Sequence, residues 1–471
     1  MSLPDPTRRG LLRASPVALA GLLMARGFSA AAQDFDIEVP GDLPYAPPVS
    51  GGATLFTDVR IFDGTTPTLS PPSNVLVRGG LIERISAEPI ADAAKARTIA
   101  GGGRVLMPGL IDAHWHAFMA ATPQPVLMTA DPSYLALLAA REATATLMRG
   151  FTTIRDLGGP VFGLKLAIDQ GVIAGPRIYP SGAMISQTSG HGDFRFPFEL
   201  PRQPGGPLSH SEHLGAAAIA DSPDEVRLRA REQLRQGASQ IKLMGGGGVS
   251  SQHNPIESIQ FTEPEIRAAV EAAENWGTYV TIHAYMPQAV RQAVAAGVKC
   301  IDHGQLIDEP TAELLAERGI WWSLQPLTYD AEVFAHMSPI SQTKALKVFE
   351  GTARAYGLAR KYQVKTAWGS DILFNPGAVR RQGAYLAQMT EWYTPAESLT
   401  MATADNAELL ALSGFINPYP GRLGVVAEGA LADLLLVDGD PLADLALVAD
   451  PERSFVVIMK NGVVHKDTLS A

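Results

Sequence analysis

Eight short apolar segments alternate with amphipathic segments across the middle of the chain, and this alternation limits its fold more than any other feature. The apolar segments begin near residues 109, 151, 177, 240, 279, 300, 321 and 365. Helical patterns separate most of them, such as SPDEVRLRAREQLRQG, which begins with the capping residue Ser222, and TEPEIRAAVEAAENWG; both end in glycine. Eight strand–helix alternations predict an α/β fold, a (β/α)8 TIM-type barrel over residues 109–420. A doubly wound open sheet is the alternative, but the chain carries no dinucleotide-binding fingerprint.

Shorter runs of alternating apolar and polar residues flank this middle region on both sides. Residues 52–108 have the pattern of strands joined by turns, and similar patterns return in GVVAEGALADLLLVDGD and SFVVIMKNGVVHKD near the C-terminus. In the last segment, Asn461 and Gly462 predict a two-residue hairpin turn. We therefore expect residues 52–108 and 421–471 to pair into one small composite β-sandwich domain, since the ends of a domain are often close in space.

The first 32 residues are organised like an export signal. Arg8 and Arg9 precede a short apolar run over residues 16–25, and three alanines that end at residue 32 offer a cleavage site. The apolar run is about half of the ~20 residues that span a bilayer, so we expect no stable membrane insertion. The arginine pair resembles a twin-arginine signal, with an ordinary secretory signal as the alternative. We expect export from a bacterial cytoplasm to the periplasm or the medium, with a Pro-rich linker over residues 33–51.

Charge and cysteine content exclude two further features. The formal net charge is −10, and nothing in the sequence suggests the basic surface of a nucleic-acid-binding protein. Cys300 is the only cysteine, so an exported chain has no internal disulfide and depends on its hydrophobic core for stability. Cys300 lies in the apolar stretch VKCIDHG and is predicted to be a buried strand residue.

Two histidines, one residue apart, end the first strand of the expected barrel. In GLIDAHWHAF, His114 and His116 point to the same side because side chains alternate along a strand. A pair of hydrogen-bonded core histidines would explain this pattern. A metal site would explain it too, since neutral imidazole is the commonest metal ligand. Two ligands do not hold a metal alone, so a metal site requires more ligands from the ends of other strands.

Four more polar residues lie at strand ends of the expected barrel. They are Lys242 in QIKLMG, His283 in VTIHAY, His303 in CIDHGQ and Asp371 in WGSD. Active sites of such barrels lie at the C-terminal ends of the strands, so these side chains and the histidine pair should converge on one rim. Each residue alone has an ordinary structural explanation, but all six together indicate a metal site.

In this order the motifs resemble the amidohydrolase superfamily, and within it the branch with two metal ions and a bridging lysine. The resemblance rests on GLIDAHWH, on Lys242, His283 and His303, and on the aspartate of GSD. The segment GALADLLLVDGDPL is similar to part of that superfamily's composite sandwich, and the similarity covers nearly everything after residue 52. The resemblance implies that Lys242 is carboxylated by carbon dioxide to a carbamate, since a free ammonium carries the wrong charge to ligate a metal.

The resemblance implies two divalent metal ions, for which zinc is the first expectation because it suits imidazole and carboxylate ligands. One ion would be held by His114, His116, Lys242 and Asp371, and the other by Lys242, His283 and His303. Manganese, cobalt or iron are the alternatives to zinc, and an unmodified Lys242 that binds a substrate carboxylate is the alternative to the carbamate. A water between the ions would act as nucleophile, and Asp371 would accept its proton and pass it to the leaving amine.

Three further residues are candidates for contact with substrate. His191 in SQTSGHGDFR matches the GHGD element of the family's peptidase-like members, in which this histidine faces the substrate. Tyr285, just after His283, is a candidate for binding a substrate carboxylate, and His253 in SSQHNPIE lies on the loop after the fourth strand. Packing within the loop is the alternative role for His191.

These features predict an exported, dinuclear metal-dependent amidohydrolase that acts on small-molecule amides. The motifs resemble the branch that contains Xaa-Pro dipeptidases, carboxypeptidase-like enzymes and ochratoxin amidohydrolases, which release a C-terminal amino acid. Xaa-Pro dipeptides, N-acyl amino acids and ochratoxin A are therefore the expected substrates, and the resemblance also implies a homo-oligomer. A cyclic-amide hydrolase of the imidazolonepropionase type is one alternative, although that relative lacks the bridging lysine. A non-catalytic periplasmic binding protein is the alternative from another class.

Overall fold

The computed structural model describes residues 52–93 and 95–469, so the predicted signal (1–32) and linker (33–51) lie outside the described residues. The strands of the described part are β1 (Thr54–Ile61), β2 (Ser73–Arg78), β3 (Leu81–Ser86), β4 (Arg97–Ala100), β5 (Val105–Pro108), β6 (Leu110–Trp115), β7 (Phe151–Asp156), β8 (Arg177–Pro180), β9 (Met184–Ser186), β10 (Ala217–Ile219), β11 (Ile241–Met244), β12 (Val280–Ala284), β13 (Cys300–His303), β14 (Trp321–Leu324), β15 (Thr366–Trp368), β16 (Leu434–Val437), β17 (Phe455–Lys460) and β18 (Val463–Asp467).

The α-helices of the same part are α1 (Gln124–Leu127), α2 (Pro132–Met148), α3 (Phe162–Asp169), α4 (His210–Leu214), α5 (Pro223–Gln236), α6 (Glu263–Glu274), α7 (Pro287–Ala296), α8 (Glu309–Glu317), α9 (Ala331–Ala335), α10 (Pro339–Tyr362), α11 (Gln382–Ala387), α12 (Pro395–Thr400), α13 (Asn406–Ala411) and α14 (Pro451–Ser454). Short 3₁₀ turns cover Ala91–Ala93, Ala378–Arg381, Gln388–Glu391, Gly414–Ile416 and Leu445–Ala449, and a π-helical turn covers Met401–Asp405. None of the helices among the described residues is long and apolar enough to cross a membrane.

The eight strands predicted for the middle of the chain are all present, and they form the predicted TIM-type barrel. Strands β6, β7 and β8 form one parallel sheet, and β9 and β11 to β15 form another, with β10 at its edge. Backbone hydrogen bonds connect the two sheets on both sides. The Ser239 amide donates to the Pro180 carbonyl (2.7 Å), and the Asp371 amide donates to the His114 carbonyl (2.9 Å). The C-terminal ends of the strands therefore meet at one rim.

The third barrel strand is divided in two, which the sequence analysis did not predict. It breaks at Gly182, whose φ is +71°, so β8 pairs with β7 whereas β9 pairs with β11. A Cβ at Gly182 would lie 2.3 Å from Oε1 of Gln233, which also accepts a hydrogen bond from the Ala183 amide. A glycine is required here because both the backbone angle and the close approach exclude a side chain.

Strands from both ends of the chain form the composite β-sandwich. The order β18-β17-β16-β5-β1-β2-β3 places the C-terminal strands beside the N-terminal ones, and β1 also pairs with β4. The first part of β1 pairs with β2 and β4, whereas its last two residues pair with β5. The change occurs at a bulge near Asp58, whose φ is +51°. Asn461 and Gly462 have φ values of +52° and +74°, so the predicted hairpin turn between β17 and β18 is confirmed.

The two helices singled out in the sequence begin as expected. Ser222 caps α5 by accepting a hydrogen bond from the amide of the third helical residue, and Gly237 ends the helix with φ +101°. Helix α6, which a capping box at Thr262 begins, ends at Glu274 with Asn275 rather than Gly277 as its C-cap, so the predicted glycine end is wrong. Gly277 instead adopts φ +70° in the turn that leads to β12.

Candidate active site

The six strand-end residues predicted as metal ligands line one cavity of about 180 Å³ at the rim of the barrel. His114 lies in β6, with His116 just beyond its end, and Lys242, His283 and His303 lie in β11, β12 and β13. Asp371 follows β15. His303 and Asp371 have φ values of +76° and +50°, a region that costs energy for residues other than glycine. The fold therefore holds these two side chains in place against a backbone preference.

Asp371 is the centre of the histidine cluster. Its Oδ1 lies 3.2 Å from His114 Nε2 and 3.3 Å from His116 Nε2, and its Oδ2 lies 3.8 Å from His303 Nδ1. Among the described residues, His114, His303 and Asp371 form a group whose ligand atoms all lie within 4.8 Å of one another. One cation could contact all three.

Most of the cluster histidines are neutral, which is the form that ligates a metal. Burial is the largest cause, and it holds the pKa of His114, His283 and His303 well below the ordinary value. The charge of Lys242 lowers the pKa of all three further. A neutral imidazole keeps one nitrogen lone pair for a cation, so the donor set fits a divalent metal ion.

Hydrogen bonds on the outer side of the cluster fix which ring nitrogen is free. Nδ1 of His303 donates to Oε1 of Gln325 (2.8 Å), and Nε2 of His283 donates to the Gly247 carbonyl (3.1 Å). Nδ1 of His116 lies 3.4 Å from the Gly158 carbonyl. In each ring the other nitrogen is left as an acceptor, as in metal sites where a carbonyl orients the ligating histidine.

Lys242 is fully buried and belongs to a charged network beneath the cavity. Its Nζ donates to Oδ2 of Asp302 (2.5 Å), which also accepts from Oγ1 of Thr281 (2.7 Å). Oδ1 of Asp302 accepts from Nη2 of Arg155 (2.8 Å). Burial alone would raise the pKa of Asp302, but the charges of Lys242 and Arg155 outweigh it, and the pKa lies below its ordinary value. Asp302 is therefore a carboxylate that compensates two buried cations.

Two of the three predicted substrate contacts lie in the cavity wall. His191 stacks on His283, with 4.3 Å between ring centroids, and its Nδ1 lies 2.9 Å from Ser251 Oγ. The Tyr285 ring packs edge-on against His283 at 5.1 Å, and burial raises its pKa, so its phenol stays protonated. His253, by contrast, is exposed and is not among the residues that line the cavity. The structure thus brings His191 and Tyr285 to the site but not His253.

The outer wall of the cavity is apolar. Apolar side chains from strands β9 and β11, helix α10 and several strand-end loops form it, among them Met184, Met244, Phe349, Phe194, Leu327 and Ile372. The histidines, Lys242 and Asp371 form the floor at the strand ends, and Ser250, Ser370, Asn375 and Tyr385 are further polar residues of the lining. Such a cavity suits a ligand with one polar reacting group and a large apolar part.

Sequence reasoning missed Arg155, Asp302 and Gln325. Asp302 stands directly before His303 in CIDHGQ, and Gln325 follows the apolar run WWSL on β14. A polar residue within or after a buried strand was the available signal, since such a residue needs a partner. The partner could not be found from the sequence because Asp302 pairs with residues 60 and 147 positions away.

Comparisons with known proteins agree with this geometry. A family model described as the amidohydrolase family matches residues 105–466. The ochratoxinase of Aspergillus niger is 31% identical over 381 residues, which are 77% of this chain and 76% of that enzyme. A prolidase crystallised with N-methylphosphonate-L-proline is 34% identical, with a TM-score of 0.81 over 88% of this chain and 100% of its own. A Xaa-Pro dipeptidase with methionine bound in its active site is 26% identical, with a TM-score of 0.76 over the same shares.

Proposed function

This chain belongs to the amidohydrolase family, and we propose that it hydrolyses the amide bond between an apolar acyl group and a C-terminal amino acid. Family membership makes it a hydrolase that acts on amide bonds. The finer proposal rests on one observation: neutral histidines, Asp371 and Lys242 form the floor of a cavity whose outer wall is apolar. The scissile bond would lie over the polar floor, and the acyl group against the wall.

We propose that the site holds two divalent metal ions, a proposal supported by the six potential ligands that line one cavity. His114, His116, Lys242 and Asp371 would hold one, and Lys242, His283 and His303 the other, with Lys242 carboxylated. Metal ions in such a site polarise a carbonyl and make water a better nucleophile near neutral pH. The intact ligand set argues against a binding protein without activity, and Lys242 argues against a cyclic-amide hydrolase of the imidazolonepropionase type.

The side chains of the chain itself would position the substrate and move one proton. Asp371 would accept the proton of the attacking water and pass it to the leaving amine, as its place among the histidines allows. The protonated phenol of Tyr285 can donate a hydrogen bond to the substrate carboxylate, and His191 lies in the same wall. The apolar wall would exclude water from the acyl group.

The relatives indicate which amides to test. The matched proteins are an ochratoxinase, a prolidase and a Xaa-Pro dipeptidase, so the panel should contain ochratoxin A, Xaa-Pro dipeptides and N-acyl amino acids with small and large acyl groups. We expect kcat/KM to rise with the apolar size of the acyl group. Equal rates for N-acetyl and large N-acyl amino acids would contradict the role given to the apolar wall.

Metal analysis of the purified enzyme tests the metal proposal. We expect two transition-metal ions per chain, loss of activity with a chelator, and recovery when zinc is added back. One ion per chain with full activity would refute the dinuclear site. Mass spectrometry of the intact mature enzyme would also test the proposed export, which predicts that residues 1–32 are absent.

A further inference from the structure

A second buried lysine, Lys344, lies behind the wall of the active-site cavity and contacts the loop that follows β11. Lys344 belongs to α10, and the residue is 8% exposed. Its Nζ donates to three backbone carbonyls of one loop, those of Gly248 (3.1 Å), Ser251 (2.6 Å) and Asn254 (2.6 Å). A buried ammonium needs such partners, and here the loop backbone supplies all three.

The loop that Lys344 holds contacts two residues of the active site directly. Its Gly247 carbonyl accepts the hydrogen bond from Nε2 of His283 (3.1 Å), and Oγ of Ser251 lies 2.9 Å from Nδ1 of His191. Ser251 thus contacts His191 through its side chain and Lys344 through its carbonyl. Hydrogen bonds to this one loop thus connect the lysine with the two histidines.

The loop has little room to move without disturbing these rings. A Cβ at Gly248 would lie 2.1 Å from the His191 ring, and a Cβ at Gly247 would lie 1.8 Å from the Pro255 carbonyl. The backbone therefore passes close to His191 and closes tightly on itself. A small displacement of the loop must move the carbonyl that orients His283.

We propose that Lys344 is a positioning residue: by binding three carbonyls of residues 248–254 it fixes the loop that orients His283 and His191. The proposal rests on the proposed roles of His283 as a metal ligand and His191 as a substrate contact. Lys344 does not line the cavity, so it acts only through the loop. Loss of an orienting partner of a ligating histidine typically costs about 10- to 100-fold in metal affinity or activity.

The same helix offers a matched control. Lys347 lies one turn further along α10. It contacts Glu257, just after the residues that Lys344 holds, but it does so at the surface, where its Nζ donates to the carboxylate (2.6 Å) with both side chains about half exposed. Ion pairs at the surface contribute little to the free energy of unfolding. Lys347→Ala removes an equal charge and side chain from the same helix without touching the three carbonyls.

The test uses the full-length enzyme carrying Lys344→Ala or Lys347→Ala. Amide hydrogen exchange of peptides that cover residues 245–260 reports on the loop, metal retained after dialysis reports on His283, and kcat/KM reports on both histidines. We expect Lys344→Ala to exchange faster in this loop, to retain less metal and to lose about 10- to 100-fold in kcat/KM. Lys347→Ala should match the wild type in all three measurements.

Small amines distinguish the hydrogen bonds of Lys344 from its packing. Methylammonium can occupy the space left by Lys344→Ala and donate to the three carbonyls, whereas tetramethylammonium carries the same charge but has no N–H group. Slower loop exchange and better metal retention with methylammonium alone would support the proposal. Equal behaviour of Lys344→Ala and Lys347→Ala, or no response to methylammonium, would overturn it. If the wild-type enzyme holds metal but cleaves none of the amides, the proposed function is refuted. The hydrogen-exchange and metal-retention measurements would then still test the role of Lys344.

Discussion

Arg155 should make a larger contribution to stability than any surface charge, because it is a fully buried cation with several partners. Its Nη2 donates to Asp302 (2.8 Å), its Nε to the Ala113 carbonyl (2.5 Å), and its Nη1 lies 3.3 Å from the Tyr279 hydroxyl. In Arg155→Met the side chain keeps an unbranched apolar stem, but it is shorter and loses every donor. Asp302 then still has the positive charge of Lys242 beside it, but no longer that of Arg155.

The expected cost follows from these contacts. Removing one partner of a buried ion pair costs about 3–5 kcal/mol, because the other charge stays buried. Asp302 retains its bonds from Lys242 and Thr281, so we expect the lower end, about 3 kcal/mol. That corresponds to about a 100-fold change in the unfolding equilibrium. Urea unfolding of the metal-free protein, followed by tryptophan fluorescence, measures it as a lower midpoint with an unchanged slope.

Arg177→Met is the matched control, since Arg177 forms a second buried pair away from the cavity. It donates to both carboxylate oxygens of Asp433 (2.7 and 3.2 Å) and links β8 of the barrel to the sandwich. We expect a similar loss of stability in both variants, but reduced metal retention only in Arg155→Met. An unchanged midpoint for Arg155→Met, or equal metal retention in the two variants, would refute this reasoning.

Three further substitutions test individual side chains of the site. Lys242→Ala should lose metal and most activity, and short carboxylic acids should restore part of both by replacing the carbamate; wild-type turnover in this variant would exclude the carbamate. Asp371→Asn should lower kcat by ~10²–10⁴-fold at saturating metal with little change in melting temperature, because an amide cannot accept the proton; full recovery with excess zinc would leave Asp371 as a ligand only. Gly248→Ala should lower kcat/KM by up to about 100-fold by displacing His191, and unchanged kinetics would show that His191 does not contact substrate.

Most of the barrel could be predicted because its strands are short, apolar and regularly spaced. The break at Gly182 could not, because it depends on the contact with Gln233, a residue 51 positions away on α5. The end of α6 differed for a local reason: Asn275 caps the helix two residues before the glycine that the pattern indicated. Tertiary contacts and local capping thus set the details that periodicity left open.

The strand-end residues could be found from the sequence because parallel strands bring their C-terminal ends to one rim. The supporting residues could not, because Gln325, Asp302 and Lys344 act through partners on other elements. His253 shows the limit in the opposite direction: it stands on an active-site loop in sequence, yet its side chain is exposed and lies outside the cavity lining. The position of a residue on a loop indicates which end of the barrel it occupies, but it does not indicate where its side chain points.

The network beneath the cavity bears on how Lys242 could serve as a metal ligand. A carboxylated lysine keeps one N–H on its Nζ, so Asp302 could still accept a hydrogen bond from it after modification. The modified side chain is an anion, however, and it would then lie close to a second buried anion, Asp302. Arg155 removes this conflict, because its guanidinium stays charged at any ordinary pH and already pairs with Asp302. The buried arginine would thus make the same aspartate compatible with Lys242 both as an ammonium and as a carbamate, and this would account for a buried cation beneath the site.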